Sequence, residues 1–252
     1  MEKVRIPNSK GVNLSAVMHR PKFETSKLAI LCPGYLDTKD YDHLVALAET
    51  LVGQGYTVVR FDPTGTWESE GDISEYTTTQ YLSDVKSVLE YMLRKGNYKQ
   101  ILLGGHSRGG MVSVLYAARD PRISMVLGIM PSSPFSLDKK ITEGWEKTGF
   151  AEATRDVPGK NETKKFQVPF SHAKDRMQYN SVEDAAKIHV PVIIVAGELD
   201  MVVLPEYAKM IFDRANEPKK FILIPGVGHD YRQNPSEIVQ VNTKIIEAVS
   251  SL

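Results

Sequence analysis

Ser107 stands in Gly105-His106-Ser107-Arg108-Gly109, directly after the apolar run Gln100-Ile101-Leu102-Leu103-Gly104 and before a helix-like stretch from Met111 to Ala118. A serine in a G-x-S-x-G turn between strand and helix is forced into a strained backbone, with glycines where a Cβ would collide. The strain lifts the hydroxyl clear of the sheet. The helix that follows aims its unpaired N–H groups at whatever that oxygen attacks. The chemistry implied is nucleophilic catalysis, and it sets two further demands: a base beside the hydroxyl and an acid that orients the base.

Six histidines compete for the role of base. His106 adjoins the serine, but at such a turn its side chain points back into the fold. His19 and His43 precede the serine in a strand and a helix, His172 lies in an irregular region, and His189 leads into a strand at the wrong end. His229 lies in Pro225-Gly226-Val227-Gly228-His229-Asp230, directly beyond the apolar segment Lys219 to Ile224. A loop after the last strand is where the base belongs when the chain order is nucleophile, acid, base. The acid then follows an earlier strand, and Val192-Ile193-Ile194-Val195-Ala196-Gly197-Glu198-Leu199-Asp200 supplies it. Asp200 is favoured because the loop must clear the sheet before its carboxylate turns, with Glu198 in reserve. Asp230 adjoins the histidine, yet neighbours in a loop rarely face each other. The negative oxygen of a tetrahedral intermediate needs N–H donors. The main-chain N–H groups of Arg108 and of Tyr35, in Pro33-Gly34-Tyr35-Leu36-Asp37, are the candidates.

These residues need a frame that brings them to one edge. Val4-Arg5-Ile6 and Val12 to Val17 read as a hairpin about Asn8-Ser9-Lys10-Gly11, after which strands and helices alternate. Strands are expected over Leu28–Cys32, Tyr56–Phe61, the run before Ser107, Ile123–Met130, Val190–Ala196 and Lys219–Ile224. Helices are expected over Tyr41–Val52 with Asp40 as a cap, Tyr81–Leu93, Met111–Ala118, Pro205–Ala215 and Ser236–Val249. That alternation implies right-handed crossovers and a mostly parallel sheet covered by helices on both faces, an α/β fold. Residues 132–187 break the rhythm. They are rich in lysine and glutamate but carry Phe135, Trp145, Phe150, Phe166, Phe170, Met177 and Tyr179, too many large apolar groups for a disordered linker. The segment is expected to be an inserted cap over the carboxyl edge of the sheet, with a helix from Leu137 to Thr148 and a hairpin at Pro158-Gly159. Residues 1–131 and 188–252 then form one core.

Composition excludes several classes. Thirty-one basic and 31 acidic residues cancel, so no global field draws the chain to nucleic acid or to an anionic membrane. The N-terminus lacks an apolar signal core and no apolar run reaches the length of a span. Cys32, the single cysteine, lies in a buried-strand pattern and excludes an internal disulfide, consistent with a cytoplasmic protein. The histidines show no paired metal spacing, and no phosphate loop or G-x-G-x-x-G follows a strand, so neither metal nor cofactor is expected.

The chain resembles the serine-hydrolase branch of the α/β-hydrolase superfamily, and among it the compact cinnamoyl/feruloyl esterases and related carboxylesterases. The matching parts are Pro33-Gly34-Tyr35, Arg60-Phe61-Asp62 with Gly65 and Glu68-Ser69-Glu70-Gly71, the Ser107 turn, Gly197-Glu198-Leu199-Asp200 with Val203, and Gly228-His229-Asp230. The resemblance implies a Ser107–His229–Asp200 triad, an oxyanion hole from the N–H groups of Tyr35 and Arg108, and a small-molecule ester substrate with an apolar or aromatic group. An aminopeptidase-like or acyl-thioesterase activity would use the same three residues, with Glu143 and Glu146 a faint acidic pair for the former. A silent ligand receptor would need none of them. Exposed apolar residues in the insertion would also serve a homodimer. Two departures stand out. Pro33 replaces a histidine in the oxyanion loop, and Trp67 replaces a glycine in Gly65-Thr66-Trp67-Glu68-Ser69, where a side chain disfavours a left-handed backbone.

Overall fold

Eight strands form one sheet because their apolar residues alternate between two covered faces. The computed structural model describes residues 1–136 and 139–252. Strands β1 (Glu2–Pro7) and β2 (Asn13–His19) make the expected hairpin, and β2 pairs antiparallel with β4 (Thr57–Phe61). From β4 onward, β3 (Lys27–Cys32), β5 (Gln100–His106), β6 (Met125–Ile129), β9 (Val192–Gly197) and β10 (Lys219–Ile224) run parallel. The order across the sheet is β1-β2-β4-β3-β5-β6-β9-β10. Along β3, Leu28, Ile30 and Cys32 pack into one core and Ala29 and Leu31 into the other, as the two-residue period of a strand requires. Each fully buried Leu or Ile contributes roughly 1.5–3 kcal/mol.

The helices cover those two faces. The first core packs against α2 (Thr78–Lys95), α3 (Arg108–Ala117) and α7 (Pro205–Arg214); the second packs against α1 (Asp42–Gly53) and α8 (Pro235–Val249). No helix among the described residues is long and apolar enough to cross a membrane. Two boundaries differ from the sequence reading for identifiable reasons. Asp40 does not cap α1, because its carboxylate is drawn to Lys39 and Arg60. Helix α3 starts at Arg108, since the pair Gly109-Gly110 opens the helix instead of preceding it. A Cβ on Gly109 would sit 2.0 Å from the Cys32 carbonyl oxygen, and one on Gly105 2.3 Å from the same atom. The glycines permit α3 to begin hard against β3.

Between β6 and β9 the chain forms α4 (Lys139–Thr148), a two-stranded antiparallel hairpin of β7 (Phe150–Asp156) and β8 (Thr163–Pro169), then α5 (Ser171–Arg176) and α6 (Ser181–Ala185). Leu137 and Asp138, the expected start of α4, lie outside the described residues. Most of the aromatics here fasten the segment down. Trp145 donates from Nε1 to the Val168 carbonyl at 2.8 Å, and Phe166 meets the Trp67 ring at 5.7 Å between centroids. Trp67 adopts φ 45° despite its side chain. Such strain costs on the order of 1–3 kcal/mol, and it is offset by the Phe166 contact and a 2.9 Å hydrogen bond from the indole to the Leu36 carbonyl.

Candidate active site

Parallel strands end at the same edge, so the loops after β3, β5, β9 and β10 converge there. Ser107 follows β5 with φ 52° and ψ −115°, the strained turn that the sequence implied. Its N–H donates to the Ile129 carbonyl at 2.8 Å and its carbonyl accepts from Ser132 and Met111, which over-determine the conformation. Ser107 Oγ lies 3.0 Å from His229 Nε2, and His229 Nδ1 lies 2.7 Å from Asp200 Oδ2. Asp200 is 1% exposed, and its other oxygen accepts the N–H groups of Val202 and Val203 at 2.9 and 2.7 Å. Those two bonds aim the carboxylate at the imidazole. Because Asp200 accepts at Nδ1, that nitrogen carries the proton and Nε2 is left with a lone pair toward the serine. Glu198, the reserve acid, turns elsewhere and accepts from the Gly226 N–H at 2.9 Å, bracing the loop that carries His229. Asp230 points out to a half-open pairing with Arg232 at 3.7 Å.

The loop after β3 is held by tyrosines from α2 and the turn before it. Tyr81 donates to the Pro33 carbonyl at 2.9 Å, Tyr76 donates to the Gly34 carbonyl at 3.3 Å, and the Leu36 N–H donates to the Tyr76 hydroxyl at 3.0 Å. This bracing does not depend on a histidine at position 33. At Gly34 a Cβ would lie 2.5 Å from Asp37 Oδ2, so a larger residue would displace the Asp37 carboxylate. Neither Tyr35 N–H nor Arg108 N–H has a backbone partner among the described residues, leaving both free as donors.

The alpha/beta hydrolase family model matches residues 29–241. The chain belongs to that family. It is 23% identical over 220 residues to a mitochondrial palmitoyl-protein thioesterase, ABHD10, of Mus musculus, covering 83% of this chain and 70% of that one. It is 30% identical over 206 residues to the lysophosphatidylserine lipase ABHD12 of Danio rerio, covering 81% of this chain and 51% of the relative. The solved structure of Est1E from Butyrivibrio proteoclasticus with ferulic acid bound matches with a TM-score of 0.78 and 23% identity, over 98% of this chain and 99% of that one. At that identity the structural likeness is one of fold.

Several residues of this hydrolase's site escaped the sequence reading. Ser132 brings its Oγ to 3.4 Å from Ser107 Oγ. His106 turns inward as expected, and its ring lies 4.7 Å from that of His229. Burial holds the His106 imidazole below its ordinary pKa despite the nearby Asp37, so a neutral ring abuts His229. Asp37, His43 and His106 cluster with ligand-type atoms within 4.8 Å of one another, a grouping among the described residues that linear spacing hid. Zinc–nitrogen bonds of 2.0–2.1 Å set ligand atoms about 3.4 Å apart, tighter than this limit. Asp37 also lies 3.6 Å from His106 Nδ1 and 3.8 Å from Arg155 Nε. Burial opposes ionisation of Asp37, but His106, His43 and Arg155 outweigh it and lower its pKa. A surface concavity lined by Phe23, Thr57 and Tyr98 lies away from this site, at the amino ends of the parallel strands. Ligands in open α/β sheets bind at the carboxyl ends.

Proposed function

We propose that the protein is a serine hydrolase that cleaves carboxylic esters through an acyl-enzyme, with Ser107 as nucleophile, His229 as general base and Asp200 as the group that orients it. The observation that carries this reading is the continuous contact from Ser107 Oγ through His229 to Asp200, at 3.0 and 2.7 Å. Ser107 attacks the carbonyl carbon as His229 Nε2 takes the hydroxyl proton, and Asp200 stabilises the resulting imidazolium. The N–H groups of Tyr35 and Arg108 receive the developing oxyanion. The protonated imidazole gives its proton to the departing alcohol. Water then attacks the acyl-serine with His229 again as base, releasing the acid and restoring Ser107.

Residues 132–187 act as a cap in this scheme, and the low exposure of Ser107, 7%, supports a covered site. Exclusion of water strengthens each electrostatic contact inside. The partly exposed Tyr35 ring, beside the oxyanion loop, offers an aromatic or apolar substrate group a surface to pack on. A thioester is a second substrate class through the same acyl-serine, in keeping with the thioesterase named among the relatives. Arg108, buried beside Ser107, and the partly exposed Arg176 on α5 oppose a cationic amino terminus, which disfavours an aminopeptidase.

Fluorophosphonate labelling mapped to Ser107, together with hydrolysis of 4-nitrophenyl esters, tests the proposal. Ser107→Ala is expected to lose label and to reduce kcat/KM by about 10³-fold or more while keeping its circular dichroism spectrum. A folded Ser107→Ala variant with full activity would refute the assignment.

A further inference from the structure

Arg108, His172 and Arg176 meet between the Ser107 turn and the inserted segment. Arg108 is 1% exposed. Its guanidinium carbon lies 4.0 Å from the Tyr76 ring centre and 5.9 and 5.8 Å from those of Tyr35 and Tyr81. Its Nη2 reaches the Tyr76 carbonyl at 3.5 Å, the long limit of a hydrogen bond. Its Nη1 lies 3.3 Å from His172 Nδ1. That same Nδ1 is 2.6 Å from the Tyr76 carbonyl oxygen, which can only accept. Nδ1 therefore carries a proton, and the contact with Arg108 sets donor against donor.

Arg176 lies one helical turn beyond His172 on α5. It donates from Nη2 to the Ser133 carbonyl at 3.2 Å. The preceding residue, Ser132, is the one whose Oγ is 3.4 Å from Ser107 Oγ. The Nε atoms of Arg108 and Arg176 are both buried without a partner. Among the described residues no carboxylate forms an ion pair with either arginine. Burial first and the Arg108 charge second lower the Arg176 pKa to about 10, and the same two causes push His172 well below its ordinary value. A buried cation with no counter-charge is costly, as Arg108 is, and the partly exposed Arg176 beside it adds like-charge repulsion that stability alone does not explain.

We propose that this pocket receives an anionic oxyacid group, a carboxylate or phosphate, carried by the ester substrate a few bonds from the scissile carbonyl. The planar guanidinium fork of the partly exposed Arg176 matches such oxygens, and the ring faces around Arg108 supply its remaining N–H groups with no carboxylate. The inference rests on the ester-hydrolase reading and names its substrate class.

The test compares the intact protein on 4-nitrophenyl esters of matched length: the hemiglutarate, the 4-phosphonobutyrate and the neutral valerate. Wild type is expected to favour an anionic ester by about tenfold or more in kcat/KM, the equivalent of one good charge-assisted contact. Which anion is preferred separates carboxylate from phosphate. In Arg176→Gln the anionic-to-neutral ratio falls toward one, and Arg176→Lys restores part of it. A wild-type preference for valerate, or a ratio unchanged in Arg176→Gln, overturns the pocket and leaves the hydrolase reading standing. If no ester is cleaved, calorimetry of monomethyl glutarate and methyl phosphonobutyrate with Ser107→Ala decides: binding abolished by adding Arg176→Gln supports the pocket, and no binding overturns it. Thermal melting guards against a structural role, because Arg176→Gln relieves a like-charge contact and should not lower Tm. A fall of more than about 4 °C would mark the arginine as scaffolding and overturn the proposal.

Discussion

Two places in this molecule bury basic side chains, and they treat them in opposite ways. Lys39 is wholly buried, yet its ammonium reaches Asp62 at 3.0 Å, Asp40 at 2.8 Å and Glu68 at 2.8 Å. Arg60 joins the set through Asp40 at 2.5 Å and donates from Nε to His19 Nε2 at 3.0 Å. Burial alone would lower the Lys39 pKa; the carboxylates outweigh it and hold it above the ordinary value. Where α5 meets the Ser107 turn, Arg108 and Arg176 have carbonyl and ring neighbours and no carboxylate among the described residues, and the Arg176 pKa falls. The first place ties the loops after β3 and β4 together and is complete in itself. The second lacks a carboxylate among the described residues, and that difference is what the proposed anionic ligand would make good.

That contrast can be broken by experiment. Lys39→Met strands the buried Asp62 and is expected to cost about 3–5 kcal/mol in urea denaturation, the usual penalty for removing one partner of a buried pair. Stability unchanged in this variant would erase the distinction between the two places. A smaller effect comes from acid. Burial, then the neighbouring His106, lower the His43 pKa to about 3, and burial, then Arg60, lower that of His19 to about 4. Below pH 6.5 the unfolded chain takes protons that the folded chain refuses. Stability is therefore full above about pH 6.5 and is lost as pH falls toward those folded values. For His43 the slope is up to about 1.4 kcal/mol per pH unit. His43→Leu should reduce the loss between pH 7 and pH 5 by about 2 kcal/mol, measured by denaturation at both pH values. The smallest change concerns strain. Ser107→Gly removes the side chain that makes φ 52° unfavourable, and should raise stability by about 1 kcal/mol while abolishing fluorophosphonate labelling. A loss of stability would show that the Ser107–His229 contact outweighs the backbone strain.

Much of the frame was readable because it depends on short-range pattern. An alternating run marked β2, unbroken apolar runs marked β3 and β9, and turn residues marked the hairpin joining β7 and β8. The errors were local competitions. Asp40 has the right chemistry for a cap, but Lys39 and Arg60 offered a charged partner and took it. Trp67 is no error of that kind: a side chain disfavours its left-handed backbone, and a hydrogen bond to Leu36 and packing on Phe166 hold it there. The short helices α5 and α6 left too little periodicity to find, although His172 and Arg176 at i and i+4 did place two basic groups on one face.

Chain order and strand endings alone led to Ser107, Asp200 and His229, because parallel strands deliver their following loops to a common edge. Residue type and position relative to a strand carry that information. What surrounds them was settled by folding in three dimensions: the tyrosines that brace Pro33 and Gly34, the Asp37–His43–His106 cluster, and the guanidinium groups left without carboxylates. Each of these depends on contacts across long stretches of sequence, and on which partners are missing as much as which are present. A linear string records neither.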